Sequence, residues 1–242
     1  MSSPAQNDRF PITRHSVVVA MRSDDPVQRS RAIETICAAY WKPIYKYARL
    51  KWDLSGEDAQ DFTQEFLLRL IDKGFLESFD PGKGRLRTFL RTCADCLFLN
   101  QRRDAQRQKR NGGKVCFDFD DAEQEFAKLA TSTSPEDYFE KECVRQLLAV
   151  AIERLREKCE LSGKTAHFTV FYDHDLDSDA EAAPSYAELA TKYNLAISDV
   201  TNYLAWARRE FRACVLHQLR QMSASDEEFR SEARAILGTK AL

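Results

Sequence analysis

The chain has 242 residues, a formal net charge of −2 and 43% hydrophobic residues including 15 Phe, which is enough for a packed core and too apolar for a globally disordered chain. With only 8 Gly and 7 Pro it is short of turn formers, which points to a helix-rich fold and excludes collagenous and low-complexity classes. The longest apolar runs, Ile36–Trp41 and Leu147–Ile152, fall far below the roughly 20 residues of a membrane helix, and MSSPAQNDRF has no apolar signal core, so a cytoplasmic protein with no membrane partner is expected. Seven scattered cysteines fit a reducing compartment better than a disulfide framework.

Residues 1–26 lack a sustained period and read as a tail with one short helix. From Val27 to Trp52 apolar residues recur at helical steps, and Pro43 is expected to break or kink that helix near Lys42. Ser55 with Asp58 opens the next helix, whose stripe is Ala59, Phe62, Phe66, Leu67, Leu70 and Ile71. Asp80–Gly84 is a turn, and a helix follows from Leu86 to about Arg110, stopped by Asn111-Gly112-Gly113. The segment to about Ser132 has weak periodicity and reads as a linker. Ser134-Pro135-Glu136-Asp137 starts a helix running to about Cys159. Thr165–Tyr172 is either a helix or a short strand, and Asp173–Pro184 is an acidic loop. Ser185 with Glu188 opens a short helix, Ser198 caps one running to about Met222, and Ser225 with Glu228 caps a last amphipathic helix. The class is all-α. Its parts are a tail (1–26), a helical domain (27–113), an acidic linker (114–133), a second helical domain (134–222) and a C-terminal helix (223–242).

The small net charge hides an asymmetry. Arg85–Lys114 holds nine bases against two acids, and Asp118–Glu142 holds nine acids against two bases. A basic block followed by an acidic one suits a nucleic-acid-binding module with an acidic linker. PSYAELATKYNLAISDVTNYLAWARREFR has the layout of a helix-turn-helix. Leu189 faces inward, Ala190 allows close approach, Asn194 suits a left-handed turn, Leu195 and Ile197 plug the turn, and Val200 and Leu204 are the buried face of the second helix. An ordinary two-helix corner is the rival reading.

Three stretches, YWKPIYKYARLKW, EDAQDFTQEFLLRLI and FDPGKGRLRTFLR, resemble region 2 of bacterial RNA polymerase sigma factors, and the helix-turn-helix resembles region 4. Their order, with only a linker between them, is similar to the extracytoplasmic-function (ECF) type of the sigma-70 superfamily. The resemblance implies a transcription initiation factor rather than an enzyme, with no cofactor and no metal. Its implied partners are promoter DNA and core RNA polymerase, through the coiled coil of the largest subunit and the flap of the second, with an anti-sigma factor as a further candidate. It assigns Asp61, Gln64, Glu65 and Arg69 to the polymerase. It assigns Arg87, Arg91, Thr92, Asn100, Arg102, Arg103, Arg107, Lys109 and Arg110 to the −10 element. It assigns Ser198, Asp199, Thr201, Asn202, Tyr203, Arg208, Arg209 and Arg212 to the −35 element. Two residues depart from the pattern: Asp95, on the helix meant to face DNA, and Asp199, in a recognition helix with no cation before Arg208.

Rival chemistries find less support. Cys93-Ala94-Asp95-Cys96 is a C-x-x-C with no second ligand pair at zinc spacing and no βαβ setting for redox work. The run from Asp173 to Asp179 fails as a calcium loop in either register, and a hydrolase built on His174 lacks companions. No Gly-rich phosphate loop or nucleophile elbow is present. The main alternative function is a stand-alone helix-turn-helix regulator that binds DNA without polymerase.

Overall fold

The computed structural model describes residues 17–21, 23–71, 78–80, 82–104, 119–127, 134–177, 183–223 and 225–238. Among them are ten α-helices and no strand: α1 Val17–Met21, α2 Pro26–Trp52, α3 Gly56–Ile71, α4 Leu86–Asp104, α5 Phe119–Ala127, α6 Pro135–Leu161, α7 Thr165–Phe171, α8 Tyr186–Tyr193, α9 Ile197–Met222 and α10 Asp226–Leu237. The all-α reading is correct, and Thr165–Phe171 is a helix.

α2 is the hub, with α1, α3, α5 and α6 all packed on it. Its residues from Pro43 to Ala48 are buried without a break, so it is enclosed on every side at that level. α2 runs uninterrupted through Pro43, contrary to the expected break. Neighbouring helices hold both flanks of the proline, and Gln146 Nε2 donates to the Ala38 carbonyl at 2.8 Å, in the turn that the ring crowds. α3 starts as expected, with the Asp58 N–H donating to Ser55 Oγ at 3.1 Å.

The stretch read as an acidic linker is corrected over 119–127. There the chain forms α5, with Phe119 and Ala122 buried and Phe119 packed on the rings of Trp41 and Tyr45. Its acids bond α2: Glu123 with Arg49 and Tyr45, Glu125 with Lys42 and Lys46. A nine-residue helix is marginal alone, so docking rather than periodicity forms it.

α6 is the beam that joins the two ends of the molecule. Its first half packs on α2, its second on α9. Ser134 caps it by accepting from the Asp137 N–H. Phe139, Cys143 and Leu147 join the region around α2 to a single buried cluster that continues through Leu155 and Cys159 to Val215 and Leu219 of α9. α7 and α8 complete the far end against α9. A π-helical turn, Tyr172–Leu176, follows α7 in the stretch read as an acidic loop. Its acids are taken up internally: Asp173 by Lys192 and Tyr193, Asp175 by Arg208.

Candidate nucleic-acid and polymerase interface

α3 carries the face assigned to the polymerase. Phe62, Phe66, Leu67 and Leu70 turn inward, and Asp61 and Arg69 are exposed, with Gln64 and Glu65 half-buried. Glu65 is not isolated: one oxygen accepts from Arg69, and the other accepts from Gln101 Nε2 of α4 at 2.7 Å. That bond fixes α3 and α4 relative to each other on the polar side, while Trp52 stacks on Phe98 at 4.0 Å and meets Phe62 edge-on behind it.

α4 divides into two faces. Thr92, Cys96, Leu99, Asn100 and Arg103 recur at helical spacing and are exposed, with Leu99 54% exposed. Arg102, also exposed, leans over Phe98. This outer face offers an apolar side chain, an amide and two guanidinium groups together, the mixture that holds nucleotides by stacking and phosphate contact.

The other face of α4 is covered. Arg87 is held by Glu232 of α10 through two nitrogens, at 2.7 and 3.0 Å, and by Glu140 of α6. Arg91 faces the same Glu140, at 3.9 Å. Asp95 explains itself here: Tyr47 donates to it at 3.1 Å and Lys51 lies 3.4 Å away. It is a half-buried counter-charge to Lys51. Lys51 also bonds Glu136, and that bond, more than any other influence, holds the Glu136 carboxyl below its usual range. Arg87 and Arg91 are therefore committed to protein acids in this arrangement, unlike Asn100, Arg102 and Arg103. Arg107, Lys109 and Arg110 lie outside the described residues.

The helix-turn-helix is α8, a turn and α9. The Ser185–Glu188 capping box opens α8. Asn194 ends it in the left-handed region, φ 50°, where Asn is tolerated, and the Leu195 N–H closes back on the Ala190 carbonyl. Leu189, Ala190, Val200 and Leu204 are buried as expected. Two expectations are corrected. The N-cap of α9 is Ala196, with no side-chain bond, so Ser198 stands inside the first turn and its hydroxyl is not spent on capping. Ile197 does not plug the turn; it is 56% exposed.

Ser198, Thr201, Asn202, Ala205, Arg208 and Arg209 share the exposed face of α9. Tyr203 does not turn out: it stacks on His167 of α7 at 3.8 Å, and Trp206 meets the same ring edge-on with Lys164 over its face. Asp199 and Arg212 are half-buried. Arg208 grips Asp175 at 2.7 and 2.8 Å. Burial opposes ionisation of Asp175, but Arg208 and His174 outweigh it and hold the carboxyl below its usual range. Arg209, 70% exposed, is the outward cation of this helix, 3.6 Å from Glu210.

Reasoning from the sequence alone passed over Glu140 and Glu232. Glu232 does leave a signal, since it falls between Phe229 and Ala233–Ile236 on the apolar side of α10, where an acid needs a buried partner. Burial first, then Cys96, push the Cys93 thiol up to about 11, and no group of three or more His, Cys, Asp or Glu placed to hold a metal occurs among the described residues. Among those residues no helix is long and apolar enough to cross a membrane.

Residues 38–108 match the family model for Sigma-70 region 2. That span takes in most of α2, all of α3 and all of α4. No curated protein and no solved structure matches the chain.

Proposed function

We propose, from the premise that this chain belongs to the sigma-70 family through its region 2, that it directs core RNA polymerase to promoters by two contacts of different kinds. Region 2 gives it a sigma factor's part in transcription initiation. The finer reading assigns the exposed face of α3, centred on Asp61, to the polymerase. It assigns the outer face of α4 (Thr92, Asn100, Arg102 and Arg103, with Leu99) to an unstacked −10 strand. Thr92, Asn100, Arg102 and Arg103 come from the sequence reading, and Leu99 is added by its exposure within the same face. The assignment of Arg107, Lys109 and Arg110 to this element stands as a proposal on the sequence alone.

For the −35 element we favour Ser198, Thr201 and Asn202 as base readers, because they lie together at the outward start of α9. Asn bonds adenine bidentately, and Arg209 is placed to hold phosphate. Tyr203 serves as packing, and Arg208 as the tie to the π-helical turn. ECF membership fits a chain of this size with region 2 followed by a helix-turn-helix.

The observation that carries the reading is the match at 38–108, coinciding with helices whose polar faces remain exposed. The test is co-elution of purified chain with core polymerase on gel filtration. Wild type is expected in the polymerase fraction. Asp61→Lys is expected to elute alone with unchanged circular dichroism, since its side chain lies off the Phe62–Phe66 stripe and like charge across a close interface costs several kcal/mol. Co-elution of Asp61→Lys at wild-type affinity would move the polymerase contact elsewhere. A stand-alone regulator would instead bind one duplex sequence tightly and ignore the polymerase.

A further inference from the structure

α10 touches both ends of the molecule. It packs on α9 and is pinned there by Arg220, which bonds Asp226 at 2.6 Å and lies over the Phe229 ring. Ten residues after the end of α9 sits Glu232, 7% exposed at its side chain, which ties Arg85 at 2.8 Å and both terminal nitrogens of Arg87. Arg87 lies in the first turn of the helix that carries the proposed −10 face, and Arg85 directly precedes that helix. Around the pair lie Tyr40, Cys143, Leu147, Leu219 and Ile236, so the contact joins α2, α4, α6, α9 and α10 at one point. An arginine fork on a buried carboxylate is a strong, directional contact.

α6 packs on both α2 and α9, so the two ends stay joined without α10. Release of α10 therefore uncovers the start of α4 and leaves that joint in place.

We propose that α10 is a strap: from its seat on α9, Glu232 holds Arg85 and Arg87, and its release frees both arginines for promoter phosphates. The inference rests on the two-element reading above. The strap acts as an intramolecular stand-in for phosphate, so any partner that binds the open form better shifts the population toward it. α4 then gains two cations where it enters the −10 site. The nine-acid stretch contributes through Glu140, which shares Arg87 from α6.

The test uses the free full-length chain without polymerase. Wild type and Glu232→Gln are compared by small-angle X-ray scattering, and by anisotropy titration with a labelled duplex of arbitrary sequence at several salt concentrations. Glu232→Gln is expected to show a larger radius of gyration and about tenfold tighter duplex binding. Its log–log salt slope should steepen by about 2, for two added phosphate contacts. Adding Arg85→Gln to Glu232→Gln should return about one unit of that slope. Phe229→Ala loosens α10 without altering charge and should change compactness and affinity in the same direction, which keeps the test sound if Glu232→Gln folds poorly. Folded variants with wild-type radius, affinity and slope would overturn the strap. A chain that opens as described yet neither joins core polymerase nor starts transcription would leave the strap standing and remove the functional reading. A chain that starts transcription while both variants stay compact would do the reverse.

Discussion

Lys46 lies in the middle of α2 at 2% exposure, bonded to Glu125 of α5 and to Glu142 of α6, itself 2% exposed. Burying an ammonium group is tolerable only with its counter-charges in place. Lys46→Met should leave Glu142 buried with only Tyr138 and the more exposed Arg145 near it. We expect a loss of about 3 kcal/mol in urea unfolding, near the lower end of the cost of breaking a buried pair. A loss under about 0.5 kcal/mol, the scale of an ordinary surface substitution, would mean the pair is unimportant. Asn194 gives a second residue-level test. At φ 50° Asn194→Ala should cost about 1 kcal/mol of stability and Asn194→Gly little or nothing, read from the same unfolding curves. The αL position of Asn194 was legible because Asn after a helical run has few other uses. Lys46, Glu142 and Glu232 were not assigned partners, because a charge within an apolar stripe announces a buried partner without saying which one, 79 to 147 residues away, it will be.

α5 is the element that the sequence conceals most. Its nine residues lack a decisive period, and its acids looked like solvated linker, whereas they are the means of docking. Burial opposes ionisation of Glu125, yet Lys42 and Lys46 bond it and hold it below the usual carboxylate range; Glu123 is held low in the same way by Tyr45 and Arg49. Folded values below the unfolded ones give stability that is present above about pH 4.3, the usual Glu value. That stability is lost as pH falls through the lowered values. Amide exchange over 119–127, corrected for intrinsic rate, should therefore be protected from neutrality down to about pH 5 and become fast on further acidification. Protection unchanged at low pH would assign the docking to Phe119 and Ala122 alone. α9 was read more fully: its buried side followed from Val200 and Leu204. Its cap and the inward turn of Tyr203 did not, because His167 reaches it from another helix. Asn202→Ala should change which −35 sequences a promoter library yields, by about 1–3 kcal/mol at one base pair. Arg209→Ala should weaken all promoters alike and lower the salt slope by about 1.

Among the described residues, charges of the basic and acidic blocks are drawn into internal pairs. Acids of α5 and α6 neutralise Lys42, Lys46, Arg49 and Lys51 on α2, and Glu140 with Glu232 covers Arg87 and Arg91 at the start of α4. The family of residues 38–108 was readable because DAQDFTQEF and GRLRTFL combine a helix face with a fixed turn. The packing of α6 across both ends was not readable, since a 27-residue helix serves a linked or a fused arrangement equally well. The covered cations lead us to expect that the free chain binds duplex DNA weakly and without sequence preference. Specificity then depends on assembly with polymerase. The most direct measurement is reconstituted transcription: core polymerase with and without the chain, on a genomic template, with start sites mapped. Discrete new starts that share upstream sequence, present with wild type and lost with Asp61→Lys, are the expected result. No new starts, together with tight sequence-specific duplex binding by the chain alone, would contradict a role in initiation and favour the stand-alone regulator.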